Sequence, residues 1–306
     1  MISLSQLIEN TLNRLKKLDE YFISKGYKPC ILFSGGKDSL VVLDLCYQHY
    51  GNDMYVCYIH IPGNTHEECD RYVFDIVDKY GFSNRNFIYL KQTDKLKVRG
   101  KEIEPDFFVY AIEYGLPIYA KMRWCLRIFK LMPLMKLPCN FILISGEKQS
   151  DSIWRFKYIE KLKNNVVPDL ILAKDQYYKH YNLKLIYDWK TDHVLEYVKK
   201  RKLKLNPLYR TINHSGNCML CPGRLSSIDR ILNDLRKNEI YYPYWYNKII
   251  QFFKEFMKKH REMTKCNLPC SKCPYMRNRN RYIFAKKIGI VLELLNENSI
   301  LKYLTK

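Results

Sequence analysis

A short apolar run, Cys30-Ile31-Leu32-Phe33, leads into Ser34-Gly35-Gly36-Lys37-Asp38-Ser39 and then into a helical pattern from Leu40 to Tyr50. No other feature limits the fold as much, because a Ser-Gly-Gly loop between a strand and a helix is where a backbone closes tightly around an anion. The glycines let the main chain approach, and the helix start directs free N–H groups and its positive dipole end at the same point. Lys37 adds a mobile charge, while Asp38 is placed to cap the helix or to help hold a metal. The alternative is a glycine-rich turn whose only special residue is an N-capping Asp38. A Walker loop is excluded, since it needs more residues between its glycines and ends in Lys-Ser or Lys-Thr.

The alternation continues along the chain. Met54 to Ile61 reads as a strand, Thr65 to Tyr80 as a helix and Asn86 to Leu90 as a strand; a helical region from about Asp106 to Met135 precedes a buried strand at Phe141-Ile142-Leu143-Ile144. Strands alternating with helices predict an α/β fold, a mostly parallel sheet with helices on both faces. In front of it Leu4, Leu7, Ile8, Leu12, Leu15 and Leu18 fall at helical spacing and stop at Gly26, which predicts one amphipathic helix. Behind it Leu183 to Tyr187 predicts a strand, and Thr191 to Arg201 a helix opened by a Thr or Asp cap. From Arg224 onward the pattern is helical, with an aromatic stretch from Tyr241 to Phe256. The expected organisation is an N-terminal helix over 1–26, a nucleotide-binding α/β domain over 27–225, and a helical, basic, cysteine-bearing region over 226–306.

The chain carries 52 Lys and Arg against 31 Asp and Glu, a formal charge of +21. An excess of that size seeks a polyanion, either nucleic acid or an anionic membrane surface. With 306 residues, 47% of them hydrophobic and 27% charged, a mainly disordered chain and a small disulfide-stapled scaffold are both excluded. No apolar run reaches the roughly 18 residues that span a bilayer, and Met1 to Asn10 lacks the basic-then-apolar layout of a signal peptide. A cytoplasmic protein with no membrane partner is expected.

Eleven cysteines in a reducing compartment are not expected to form disulfides. Cys30, Cys46, Cys57 and Cys139 sit among apolar residues and read as small core hydrophobes. Cys125, Cys218, Cys221, Cys266, Cys270 and Cys273 sit beside Pro, Gly, Asn, Trp and basic residues and need a chemical reason. Cys218-x-x-Cys221 and Cys270-x-x-Cys273, with Cys266 four residues earlier, offer thiolates that suit a structural Zn²⁺ or a [4Fe–4S] cluster, and spacing does not choose between them. His260 is near enough in sequence to complete a zinc knuckle, although a solvated helix residue is its simpler reading.

Over residues 241–306, 14 Lys and Arg stand against four Asp and Glu. Tyr241, Tyr242, Tyr244, Trp245 and Tyr246 near Lys258, Lys259 and Arg261, with Arg277, Arg279 and Arg281 beyond, are residue types that stack on unpaired bases while neutralising phosphates. The alternative places the aromatics in a core and the charges on a solvated face, as in heat-adapted proteins.

The loop matches the SGGxDS signature of the PP-loop ATP pyrophosphatase superfamily at every fixed position, and the chain resembles that superfamily. Further segments are similar to its phosphoadenosine phosphosulfate (PAPS) reductase-like branch, which includes PAPS reductases, sulfate adenylyltransferase small subunits and DNA phosphorothioation sulfurtransferases. The tract Ile59-His60-Ile61-Pro62-Gly63-Asn64-Thr65-His66-Glu67 matches loosely, and Arg123-Trp124-Cys125-Leu126-Arg127-Ile128-Phe129-Lys130 resembles a Trp-Cys-Thr-x-x-x-Lys element. In Gly146-Glu147-Lys148-Gln149-Ser150-Asp151-Ser152-Ile153-Trp154-Arg155, Lys148 stands for the family's Arg and Asp151 for its Glu, which keeps charge but not bidentate geometry. Tyr187-Asp188-Trp189, Asn206-Pro207-Leu208-Tyr209 and Cys218-Met219-Leu220-Cys221-Pro222 resemble the end of an archaeal-type PAPS reductase-like domain.

The resemblance implies an adenine nucleotide alpha hydrolase-like fold in which residues Ser34 to Ser39 hold the pyrophosphate end of ATP with Mg²⁺. It implies catalytic roles for Lys37 and Asp38, and places Gly146, Lys148 and Arg155 near the nucleotide or substrate. It also implies a [4Fe–4S] cluster on Cys125, Cys218 and Cys221, completed by Cys266, Cys270 or Cys273 or left with an open iron, with Zn²⁺ as the alternative. Lys37 and Asp38 are intact and the Cys-Gly-x-His-type ending of assimilatory PAPS reductases is missing. The expected activity is therefore ATP cleavage between the α- and β-phosphates for sulfur transfer to tRNA or DNA, the sulfur coming from a donor protein or sulfide. The rivals are sulfur assimilation, by PAPS reduction or sulfate adenylylation, and nucleic-acid binding without catalysis.

Overall fold

The computed structural model describes residues 2–82, 86–116, 123–163, 167, 169–174, 180–225, 227–265 and 284–296. Cys266, Cys270 and Cys273, together with Arg277, Arg279 and Arg281, lie outside the described residues.

Helix α1 (Leu4–Tyr21) starts where the Ser3 hydroxyl accepts the Gln6 N–H at 3.2 Å, an N-cap of the usual kind. It stops short of Gly26: a 3-10 turn at Ile23–Lys25 closes on that glycine, whose φ of +86° an L side chain rarely adopts. Strand β1 (Lys28–Leu32), helix α2 (Lys37–Tyr50), strand β2 (Tyr55–His60), helix α3 (Glu67–Lys79) and strand β3 (Phe87–Lys91) follow in the expected alternation. A hairpin of β4 (Leu96–Val98) and β5 (Lys101–Ile103) then leads to α4 (Phe107–Tyr114). Its three-residue strands are too short to produce a readable pattern. Next, α5 (Trp124–Leu126) and α6 (Met132–Leu134) flank a π-helical turn at Arg127–Leu131, a local widening frequent at functional sites. The α/β part closes with β6 (Phe141–Ser145), α7 (Ile153–Leu162), β7 (Leu172–Lys174), β8 (Tyr181–Lys184), α8 (Thr191–Lys200) and α9 (Leu208–Thr211).

The main sheet has the order β3-β2-β1-β6-β8-β7, with every pair parallel except β7 against β8. Ile31 pairs with Val56 on one side and Ile144 on the other, so β1 and β6 are central, and all five residues of β6 are buried. Such continuous burial belongs to a parallel sheet covered on both faces, as the sequence predicts. The chain runs outward from β1 through β2 and β3, then returns to the other side with β6. In open α/β sheets the crevice outside the carboxyl ends of the strands at such a switch point receives the ligand.

Three local expectations are corrected. The strand predicted over Leu183 to Tyr187 ends at Lys184, because buried Arg14 of α1 holds the Leu185 carbonyl at 3.1 Å and clamps Asp188 at 2.9 and 2.5 Å, pulling this segment into a turn. Helix α8 has Lys190 at its capping position, so neither Thr191 nor Asp192 caps it. Cys139, read as a core residue, is exposed, since it follows Pro138 in the turn that precedes β6.

Helices α10 (Ile228–Tyr241), α11 (Pro243–Thr264) and α12 (Ala285–Asn296) complete the described chain. Trp245, Ile249, Phe252, Phe253, Phe256, Met257 and His260 form one buried stripe of α11, at the i, i+3, i+4 spacing of a core-facing helix. Most of the aromatic stretch is therefore core, shared with α1 and the sheet, while Tyr241 and Tyr244 stay exposed. His260 is buried on this stripe rather than solvated. The Trp245 ring stacks on His66 at 5.5 Å and its N–H donates to Glu67 at 2.9 Å, which fixes α11 to the start of α3. Among the described residues no helix is long and apolar enough to cross a membrane.

Candidate active site

The phosphate loop leaves β1 and closes on itself before α2 begins. Gly35 has φ +70°, and a β-carbon there would lie 3.0 Å from Cys69 Sγ and 3.1 Å from Val73 Cγ2, so both conformation and space require glycine. Ser39 Oγ accepts the Ser34 N–H at 3.2 Å and donates to the Gly36 carbonyl at 3.0 Å. Asn206 supports the loop from outside, its side-chain amide donating to the Gly35 carbonyl at 3.2 Å and the Ser215 carbonyl at 2.9 Å. The Lys37 N–H donates to the Tyr209 hydroxyl at 3.1 Å. Asp38 does not cap α2: Gly36 stands at the capping position with no side-chain bond, and both Asp38 oxygens are engaged by lysines.

Those lysines join the two halves of the crevice. Lys37 Nζ lies 2.8 Å from Asp38 Oδ2, and Lys148 Nζ lies 2.5 Å from Asp38 Oδ1 and 2.8 Å from Asp151 Oδ1. Lys148 is fully buried, so its charge is paired on two sides as a buried charge must be. A compact ammonium bridges two carboxylates where a planar guanidinium would grip one. The network continues outward: Arg155 pairs with Asp151 and lies 3.8 Å from Glu147, which also pairs with Lys184. Burial alone would raise the Asp151 and Glu147 carboxyls, yet Lys148 and Arg155 hold Asp151, and Lys184 and Arg155 hold Glu147, below the usual carboxylate range. Gly146 allows the close approach of β6 to the loop, because a β-carbon there would stand 2.9 Å from the carbonyl carbon and oxygen of Asp38. Ser34, Gly35, Gly36, Lys37, Asp38, Ser39, Gly146 and Lys148 are thus brought together, and Arg155 joins them through Asp151.

Cys125, Cys218 and Cys221, distant in sequence, also converge. The Cys218 thiol interacts with Cys221 and takes that thiol down to about 6 against the effect of burial, helped by the Gly223 N–H and by Lys130 and Arg224. The same contact, with burial, raises Cys218 well above the ordinary thiol range. Burial and the neighbouring Cys221 push Cys125 up to about 11. The segment bearing Cys218 and Cys221 is held to the end of β2 by Asn64, whose side-chain amide donates to Cys218 Sγ at 3.2 Å and whose carbonyl oxygens accept the Leu220 and Met219 N–H groups at 2.7 and 2.8 Å. This grip explains what the loosely matched tract around Asn64 does in the fold.

One residue at this site escapes sequence reasoning. Cys69 lies under the loop, donating weakly to the Ser34 carbonyl at 3.8 Å, with its thiol pushed up to about 12 by burial. Lys130, from the π-helical turn, acts electrostatically on Cys69, Cys125, Cys218 and Cys221 alike, so one cation serves both the loop floor and the thiol cluster. Among the described residues no three His, Cys, Asp or Glu side chains close around a single metal-ion position. Cys125, Cys218 and Cys221 nevertheless act on one another and share Lys130 as a neighbouring cation.

Residues 28–224 match the phosphoadenosine phosphosulfate reductase domain. Two uncharacterized proteins of Methanocaldococcus jannaschii are 28% and 27% identical over 255 and 256 residues, in each case 83% of this chain. The chain spans about half the length of these curated relatives, 45% and 54%. Among solved structures, the PAPS reductase of Candida auris in a phosphate complex is similar with a TM-score of 0.43 at 12% identity, over 65% of this chain and 83% of that one. The U34-tRNA thiolase NcsA of Methanococcus maripaludis with its [4Fe–4S] cluster has a TM-score of 0.41 at 16% identity, over 88% and 83%. Because the matched domain runs from β1 through the phosphate loop and the β6 crevice to the Cys218–Cys221 segment, the chain belongs to the phosphoadenosine phosphosulfate reductase domain family, an enzyme family of the PP-loop superfamily.

Proposed function

We propose that the protein is a cytoplasmic ATP pyrophosphatase that adenylates an oxygen of a nucleic-acid acceptor, tRNA or DNA, and so prepares it for sulfur transfer. The observation that carries this reading is the intact loop, in which Lys37 and Asp38 face the β6 crevice while Lys130 links the loop floor to three thiols. The acceptor oxygen attacks the α-phosphorus, and the bond to the bridging oxygen breaks with its electron pair leaving on pyrophosphate. Backbone N–H groups at the start of α2 and the Lys37 ammonium are suited to hold that departing charge. Asp38 is the residue that would hold Mg²⁺, whose charge would further neutralise the pyrophosphate. A sulfur nucleophile from a donor protein or sulfide then displaces AMP, forming the new bond to sulfur as the bond to the adenylated oxygen breaks.

Cys125, Cys218 and Cys221 are the residues that would hold a [4Fe–4S] cluster, which when bound supplies soft, sulfur-binding iron next to the acceptor. The fourth position falls to Cys266, Cys270 or Cys273 or to an external ligand. Residues 27–225 form the catalytic unit in this reading, with 1–26 packed on it and the basic region 226–306 adding to the hold on nucleic acid. The formal charge of +21 favours a polyanionic acceptor over a small one.

The test is Lys37→Ala, which should lower ATP-dependent pyrophosphate release on the order of 10²-fold if the ammonium meets charge developing in the transition state. Unchanged release would remove the loop from the mechanism. The domain match itself favours a second reading, PAPS reduction; turnover of PAPS without any nucleic-acid retention would select it.

A further inference from the structure

Between α8 and α9 the burial alternates: Lys202 and Lys204 are exposed while Leu203 and Leu205 pack against the core. With Lys199 at the end of α8 and Arg210 on α9, these lysines line a concavity of about 510 Å³. Among the described residues no Asp or Glu lines it, and none of the four cations forms an ion pair. Their neighbour Arg201 is by contrast paired to Asp44. The inner wall holds Asn206 and Tyr209, the two side chains that hydrogen-bond to the Gly35 carbonyl and the Lys37 N–H. The concavity and the phosphate loop therefore share a wall.

Four cations in one concavity, with no acidic partner among the described residues, repel one another and gain from an anion. A single phosphate would leave most of the volume empty and most of the charge unneutralised. We propose that this concavity seats the phosphodiester backbone of the acceptor strand, an anion site distinct from the loop that holds ATP. The proposal deepens the nucleic-acid reading above and rests on it for the identity of the polyanion. It places the strand against Asn206 and Tyr209, and hence beside the loop that would hold ATP.

The experiment titrates the full-length protein against a fluorescently labelled single-stranded RNA over a range of salt. Each phosphate contact on a single strand contributes about 0.7 to the slope of log affinity against log salt. The triple variant Lys199→Gln, Lys202→Gln, Lys204→Gln should lose about 2 from that slope, and about 10²-fold in affinity near 0.1 M salt. Its affinity for ATP, measured by calorimetry, should stay at the wild-type level. The matching Lys→Arg triple variant should restore the slope, which separates lost charge from lost folding. An unchanged slope, a parallel loss of ATP affinity, or a wild-type protein that binds no RNA at low salt would each overturn the assignment. A wild-type protein that binds RNA with the expected slope yet releases no pyrophosphate would sink the catalytic reading and leave this site standing.

Discussion

Replacing Lys148 tests how the crevice is held together. Removing one partner of a buried ion pair costs about 3–5 kcal/mol when the remaining charge is stranded. Here neither carboxylate is stranded: Asp38 keeps Lys37, Asp151 keeps Arg155, and their side chains are 25% and 21% exposed. Water and the second cation reduce the loss, so Lys148→Met, which retains most of the packing, should cost about 2 kcal/mol. Lys148→Ala adds a cavity and should cost nearer ~4 kcal/mol. At about 2–4 °C per kcal/mol for a large domain, Tm falls by about 4–8 °C in the Met variant and roughly twice that in the Ala variant.

The acid limb gives an independent check on the same network. Asp151 has a folded pKa below the ordinary carboxylate value, so its contribution is present above the unfolded value of about 3.9 and is lost as pH falls through the folded one. Wild-type and Met-variant midpoints should therefore converge below about pH 4. Thermal unfolding between pH 2 and 8, with pyrophosphate release measured well below both midpoints, reads both effects. A Met variant with wild-type Tm and wild-type release would refute the claim that Lys148 joins the two halves of the crevice.

Gly146→Ala drives a β-carbon against the Asp38 carbonyl; the resulting overpacking should cost about 1–3 kcal/mol in urea unfolding and lower pyrophosphate release. In iron-free protein the Cys221 thiol, held at about 6, should alkylate at half its maximal rate near that pH and level off above it. Cys218→Ala should move this profile toward the ordinary thiol value. Anaerobically purified protein should contain iron, acid-labile sulfide and broad visible absorption, all lost in the Cys125→Ser, Cys218→Ser, Cys221→Ser triple variant. Stoichiometric zinc without iron after anaerobic reconstitution would make these cysteines structural.

The phosphate loop was readable because its signal is local: strand, glycines, lysine and helix lie within about 20 residues, and glycine reports backbone conformation directly. The parallel sheet followed from alternation for the same reason. The contact of Lys148 with Asp38 joins residues far apart in the chain, and no periodicity encodes such a pair. Cys69 has no cysteine partner at a ligand-like spacing, and the value of its position comes from the loop packed above it. Cys139 misled in the opposite way, since its apolar neighbours straddle a turn rather than a strand. In α11 the i, i+3, i+4 spacing of Trp245, Ile249, Phe252, Phe253, Phe256 and His260 marked a core stripe, but interleaved lysines gave the same segment the look of a nucleic-acid surface. The alternation at Lys202 and Lys204 carries no signature of its own; its meaning comes from Asn206 and Tyr209, which support the loop from the same concavity.

The most direct measurement of the central claim is the identity of the products formed from ATP labelled in its α-phosphate, incubated with the protein, RNA and a sulfide source. Cleavage at the α–β bond predicts AMP and pyrophosphate in equal amounts, dependent on Lys37 and stimulated by the acceptor. ADP with inorganic phosphate, or no turnover with RNA or DNA while PAPS is reduced, would contradict it.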